Sequence, residues 1–394
     1  MDWLETRKKE AAKIFAELPL PEKEEFWRRT NLRRFQLERF SPLSAAEAAT
    51  GTDSVKTFLP AVIDNHPVEE GVIFKDLLAA VRENSDLAQE YLGRGLKGRN
   101  EKFLLQNEAN WQTGKFLYIP RETEVSKPIL IQQYFTGSQK SIFPRNVIVL
   151  DRFAKATLIV HSTSDCENEA NYSNSILEVY LEEGANLQLI DLQNFSQKTL
   201  EIAHKRVEVG ENANLRWVLE VNGAKTSKTN LETVLNGQGA EAFVSALILG
   251  NDKQHLELYS KTQHVAPNTH ADILVKTTVD GQAKAVFQGM IRIEKTAQQT
   301  QSYMANHSIL LSDTAHAESI PRLEIEADDV KASHGASVGQ VDKEQLFYLR
   351  SKGLSAATAE RLLIEGFYEE IFGKVTVPEV QEWLRRHVIP GSEE

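Results

Sequence analysis

The spacing of apolar positions changes once along the chain, at about Phe116, and the change divides it. Before that point the spacing is helical. Trp3, Ala11, Ile14 and Phe15 fall on one face of a first helix, which Pro19 and Pro21 end. A further helix is predicted from Phe74 to Leu92, with Leu77, Leu78, Val81, Leu87 and Leu92 at its apolar positions.

From Phe116 the pattern alternates, and strand signals persist for about two hundred residues. Within them a unit recurs: a turn of small or polar residues, then an alternating run that opens on alanine. Ala154, Ala156, Leu158 and Val160 make one such run; Ala185, Leu187 and Leu189 the next; Ala213, Leu215, Trp217 and Leu219 another. Ala240, Ala242, Val244, Ala246 and Ile248 follow, and then Ala283, Ala285, Phe287, Gly289 and Ile291. The early copies lie ~27 to 31 residues apart, a period typical of solenoids and propellers. No helical stretch separates them, which disfavours a Rossmann-like alternation. Strands stacked into a β-helix satisfy each backbone through the coil above and below, and alanines at equivalent corners let coils pack closely. The periodicity alone also fits a β-sandwich or a propeller.

After the alternating region, helical spacing returns. The run from Leu323 crosses a small-residue turn holding His334 and enters two helices between Lys343 and Phe372. Asp342 is placed to cap the first, with Gln345 three residues on, Gly353 to terminate it, and Ser355 to cap the second. The second helix shows Ala359, Leu362, Leu363, Gly366 and Phe367 at the spacing of a buried stripe. A last helix is predicted over Pro378 to Ile389, with Val380, Trp383, Leu384 and His387 on one side. The division that follows is a helical N-terminal region over 1–115, a β core over 116–330 and a C-terminal helical region over 331–394.

Composition narrows the function classes. With 394 residues, 41% apolar and 26% charged, the chain has the make-up of a soluble globular protein. A formal net charge of −11 argues against nucleic-acid binding, which rests on clustered Lys and Arg. No apolar run reaches the ~18 to 20 residues that span a bilayer, and the N-terminus lacks the basic-then-apolar order of a signal peptide, so the expected location is cytoplasmic. The single cysteine, Cys166, excludes an internal disulfide framework and a cysteine-only metal site. It sits among acids, which raise a thiol pKa, and reads as incidental.

Catalytic signatures are missing. There is no GxxxxGK[ST], no HExxH and no GxSxG, so P-loop, zincin and nucleophile-elbow chemistry are unsupported. His264 and His270 flank Pro267 without a third metal ligand, and His307 and His316 lie on adjacent stretches that stacking could bring to one face. A β-helix carbohydrate-active enzyme needs paired carboxylates on one face. Asp328 and Asp329 are adjacent in a strand-like run and so point to opposite faces. That leaves His334, whose imidazole suits iron and can carry a proton near neutral pH. Its neighbours Ala332, Ser333, Gly335 and Ala336 leave room for another chain or an inorganic cluster. The helix pair carries more apolar side chains than two short helices bury against each other: Leu346, Phe347, Leu349, Leu354, Leu362, Leu363, Phe367 and Tyr368. Some must dock on the β core or on a partner.

The string ADDVKASHGASVGQVDKEQLFYLRSKG is where a family becomes visible. The chain resembles the SufB/SufD family of iron-sulfur cluster assembly scaffolds, and its SufD branch in particular; PEKEEFWRRTNLRRF resembles the family's entry segment. The resemblance implies a mainly β fold, a right-handed parallel β-helix core flanked by helical N- and C-terminal regions. It implies a non-enzymatic scaffold that pairs with SufB and docks SufC, an ABC-type ATPase, on the helix pair, with a homodimer as an alternative for the isolated chain. No cofactor is expected on the isolated chain; a transient iron-sulfur cluster is expected in the complex, with His334 as the contact shared with SufB. Ala332 departs from relatives that carry cysteine there. A SufB-type cysteine falls near Asn306, and a SufB-type carboxylate at Gly335; this chain has neither, which favours SufD.

Overall fold

The computed structural model describes residues 2–43, 69–165 and 170–388. Its core is a parallel β-solenoid of two sheets. The first runs in the order β18-β16-β14-β12-β10-β8-β6-β3-β2, the second β19-β17-β15-β13-β11-β9-β7-β4. The strands are β1 (Ser41–Pro42), β2 (Ile73–Asp76), β3 (Lys115–Ile119), β4 (Ile129–Thr136), β5 (Lys140–Ile142), β6 (Arg145–Leu150), β7 (Lys155–Asp165), β8 (Tyr172–Leu181), β9 (Asn186–Asn194), β10 (Leu200–Val209), β11 (Asn214–Val221), β12 (Thr226–Leu235), β13 (Glu241–Gly250), β14 (His255–His264), β15 (His270–Val279), β16 (Lys284–Ile293), β17 (Thr300–Leu310), β18 (His316–Ile325) and β19 (Val330–Gln340). From β6 onward each chain turn contributes one strand to each sheet, so the strands from β6 to β17 each pair in parallel with the strand two further on, while β2 pairs antiparallel with β3.

The alanine-opened runs have a backbone cause. Phe153, Gly184, Asn212, Gly239, Asn268 and Gln299 all take positive φ, and Ala154, Ala185, Ala213 and Ala240 follow four of them directly. The left-handed residue turns the corner, which suits Gly and Asn. The next side chain then points into the narrow angle between the sheets, where those four alanines are fully buried. The run from Ala283 is different. It belongs to β16, in the opposite sheet from the other copies, which explains its irregular spacing.

The core between the sheets is a ladder structure. Leu189, Trp217, Val244, Ile273, Met304 and His334 are successive partners across the second sheet. Paired residues of parallel strands face the same side, so this row runs through the apolar core.

The flanking helices cover the faces of the solenoid. On the N-terminal side, α1 (Asp2–Glu17), α2 (Leu77–Glu83), α3 (Ser85–Tyr91) and α4 (Lys102–Asn110) pack with the outer face of the first sheet, where Tyr172, Tyr180, Leu200 and Ile202 belong to the same buried cluster. The helix expected over Phe74–Leu92 is instead strand β2 followed by two short helices, broken at Asn84 with φ −129 and ψ 46. On the C-terminal side, α5 (Lys343–Ser351), α6 (Ala356–Phe372) and α7 (Pro378–Val388) follow β19, and α6 and α7 close over the outer face of the second sheet. Asp342 accepts from the backbone of Glu344 and Gln345, Ser355 accepts from Thr358, and Gly353 has φ +96, as the capping pattern predicted.

Two expectations need correction. The stripe of α6 that faces the core is Ala359, Ile364, Tyr368, Ile371 and Phe372, whereas Leu362 is 41% exposed and Leu363 and Phe367 are half-buried. And the sheet does not stop near residue 330: β19 runs to Gln340 and pairs along its length with β17. His334 therefore lies within a strand, in no turn.

Beneath α6 sits Glu220, on the outer face of the second sheet and fully buried. Among the described residues its carboxyl oxygens accept only from the amides of Asn194 and Asn222, both at 3.3 Å. Burial pushes the carboxyl up to about 8 against those two bonds. A carboxyl raised in the fold binds its proton where the unfolded chain has lost it, so stability is full below about 4.5 and falls as pH rises toward 8. Glu220→Gln is expected to flatten that decline, adding on the order of a few kcal/mol at pH 8 in chemical denaturation.

Candidate functional site

The site is built on the end strands. At the C-terminal end of the solenoid, β18 and β19 each pair on one side only among the described residues. Such edges present unmatched N–H and C=O groups, a template for another chain. Side chains along and beside them are unusually apolar for exposed positions: Ile325 of β18 and Val338 of β19 are 42% and 46% exposed, and Tyr303 of the neighbouring β17 is 46% exposed. The flanking helices cover faces, so this end remains open.

His334 is central in β19, exposed, and turned to the core side of the sheet behind fully buried Met304. It forms the mouth of the interior row. Asn306, buried, lies on the same side two positions along the neighbouring strand and is partner to Ala336. The position at which a SufB-type thiol is expected thus adjoins the imidazole diagonally. Gly335 faces the other way. A β-carbon there would approach the Tyr303 hydroxyl to 3.2 Å, so a longer side chain requires the tyrosine to move.

Three residues beyond Gln340 the chain enters α5, and the helix pair is thereby tethered to the strand that bears His334. Phe347 and Tyr348 are 74% and 59% exposed; Leu346, Leu349 and Leu354 are half-buried. With Leu362 they leave an apolar surface unburied by this chain. Tyr368 does not belong to it. It is fully buried, and its hydroxyl lies 2.7 Å from Thr278 Oγ1, so it anchors α6 to β15.

The other histidines separate. His264 faces the core, 2.8 Å from Thr269 Oγ1, and burial lowers its pKa to about 3, so it is neutral. His270 lies on the outer face against Phe243, so the two do not converge. His307 bonds Ser337 at 2.8 Å on the outside of the second sheet, and His316 approaches Glu318 at 3.2 Å on the outside of the first. They line opposite sheets, so stacking does not bring them to one face. Asp328 and Asp329 occupy the bend between β18 and β19, not a strand. Cys166 lies outside the described residues. Among the described residues no group of three or more His, Cys, Asp or Glu is arranged to hold a metal ion.

Sequence reasoning missed a buried polar knot. Glu257 of β14 accepts from Lys228, from Gln288 at 2.5 Å and from Thr30 at 2.5 Å, while Lys228 also donates to the Phe26 carbonyl at 2.7 Å. Burial alone would raise the Glu257 carboxyl; the neighbouring His255, 3.8 Å away, the Lys228 ammonium and the bonds from Lys228 and Thr30 outweigh it and hold it at about 2. The segment from Glu25 to Thr30 is thereby fastened along the first sheet as far as β18, where Arg29 meets Glu318 at 3.0 Å and Arg322 meets Glu25 at 2.5 Å. Only the register that stacks Lys228 beside Glu257 reveals the knot.

The solenoid thus has a covered flank on each sheet and one open end that carries a ligand-capable side chain. The chain matches the description "SUF system FeS cluster assembly, SufBD core domain" over residues 133–367 and "SufBD protein N-terminal region" over residues 50–131, and it belongs to the SufBD family of iron-sulfur cluster assembly proteins. An iron-sulfur cluster assembly SufBD family protein of Staphylococcus epidermidis is 28% identical over 303 residues, covering 76% of this chain and 65% of that protein. The iron-sulfur cluster assembly protein SufB of Bacillus subtilis is 27% identical over 302 residues, 76% of this chain and 64% of that protein. The chain thus spans about two thirds of the length of these curated relatives, by the same alignments. No helix among the described residues is long and apolar enough to cross a membrane.

Proposed function

We propose that the chain is a SufD-type scaffold subunit. It pairs with SufB edge to edge through β18 and β19 and carries an ABC-type ATPase, SufC, on α5 and α6. The observation that supports this most is the placement of an exposed imidazole at the mouth of the core on an edge strand that leads straight into an exposed apolar helix pair. The nascent cluster is cargo: thiolates come from the partner, and His334 offers one further ligand or moves a proton as sulfide is incorporated. The ATPase dimerises when it binds nucleotide, and its motion reaches β19 through α5. The single cysteine and the missing P-loop motif fit this division of labour.

The helix pair has its own test. Phe347→Asp with Leu362→Asp is expected to abolish co-purification with SufC, since a charge in the middle of an apolar helix-in-groove contact leaves an unpaired group buried. Both residues are exposed in the free chain, so its thermal midpoint should stay within ~2 °C, as for surface substitutions of small effect. Retained co-purification would place the ATPase elsewhere.

A further inference from the structure

Away from the open end, the turns that enter β10, β12, β14 and β16 stack on one another, because Leu200, Thr226, His255 and Lys284 are successive partners in the first sheet. Over these turns lie two cavities of about 670 and 640 Å³ that share Ala170, Lys225, Lys253, Gln254 and Gln282. They form one trough. It crosses four coils, roughly 14 Å at the usual spacing of strands, and Phe35, Gln36, Arg39 and Phe40 of the N-terminal segment make its far wall.

The chain as a whole is acidic, with a formal charge of −11, yet the trough is basic. Arg39, Lys198, Lys225, Lys253 and Lys284 line it, against one carboxylate among the described lining residues, Asp252. Glu318 pairs with Lys284 at 2.6 Å. Lys225 and Lys253 make no side-chain hydrogen bond or ion pair among the described residues, and Arg39 bonds only to Gln36, at 2.8 Å. All three are exposed. Lys198, Lys225 and Lys253 come from consecutive coils, so like charges are held side by side, an arrangement that an incoming anion relieves.

The form of the trough says which anion. An exposed ammonium holds a single carboxylate or phosphate weakly, so a ligand that stays must carry several charges on one tether. A nucleic acid is disfavoured, because the negative charge beyond the trough repels a long polyanion. Phe40, Leu200 and the lysine stems add apolar surface between the cations, which suits a chain with side chains better than an inorganic oligophosphate. About four or five extended residues cover the length, at ~3.3 Å each. We infer that the trough is an interaction surface for an acidic segment of a partner polypeptide, bound extended, with its carboxylates on Arg39, Lys225 and Lys253. The surface is separate from the edge at His334 and does not depend on the scaffold role.

The test uses the full chain and a fluorescein-labelled octapeptide of alternating glutamate and alanine, followed by fluorescence anisotropy at low ionic strength. Saturable binding is expected, and Lys225→Glu with Lys253→Glu should weaken it by at least about tenfold. Lys97→Glu with Lys127→Glu makes the same change in net charge at exposed positions outside the trough, and should stay within about twofold of wild type. Carbodiimide cross-linking of the peptide to the wild-type chain, mapped by mass spectrometry, should join it to Lys225 or Lys253. That measurement stands whatever the variants do to the fold. Absence of saturable binding, equal loss in the two double variants, cross-links only at other lysines, or tighter binding of tripolyphosphate or of an oligothymidylate would each overturn the assignment.

Discussion

Replacing His334 with alanine should reduce cluster formation on the assembled complex by at least an order of magnitude while leaving the complex itself intact. The imidazole is exposed, and among the described residues it has no side-chain hydrogen bond or ion pair, so its removal costs the fold little. Its loss at the mouth of the core removes the one ligand-type side chain that the edge strand offers between Ala332 and Ala336. Absorption during titration of iron and sulfide into wild-type and variant complexes measures the difference. Equal yields would show that the partner supplies every ligand and that His334 is a surface residue.

The second large effect concerns stability. Glu257→Leu should destabilise the chain by about 3–5 kcal/mol, because Lys228 then remains buried without its counter-charge. Thr30, Gln288 and Lys228 lose a shared acceptor at once, so the segment holding Trp27 should detach before the solenoid melts. Tryptophan fluorescence would report that step. The double change Lys228→Met with Glu257→Leu removes both charges and should recover most of the loss. The pH dependence follows from the lowered carboxyl. Its contribution is present above the unfolded value near 4.5 and is lost as pH falls through about 2, so acid should release the N-terminal segment. A cost below ~1 kcal/mol for the single change would mean that the pair is dispensable.

These residues also show what a sequence can and cannot convey. The solenoid was legible because each coil needs a left-handed corner followed by a small side chain, and Gly184–Ala185, Asn212–Ala213 and Gly239–Ala240 meet that need locally. The cap residues Asp342 and Ser355 were legible for the same reason: one hydrogen bond, a few residues away. His334 was misplaced into a turn because Ala332, Ser333, Gly335 and Ala336 are poor strand formers. Pairing with β17 overrides that propensity, and only the finished neighbour strand supplies it. The stripe of α6 was misread because Leu362, Leu363, Ile364 and Phe367 are apolar on several sides, so helical spacing alone does not choose the buried set. Tyr368 was assigned to a partner for want of knowing that Thr278 waits beneath it. The Lys228–Glu257 contact joins residues a full coil apart, which no local pattern encodes.

The role of the open end can be tested on the backbone itself. With the cysteine-bearing paralogue bound, amide exchange across Val330–Gln340 should slow by several orders of magnitude, because the free N–H groups of β19 gain strand partners. Exchange there as fast as in the isolated chain would contradict assembly at this edge and remove His334 from any shared site.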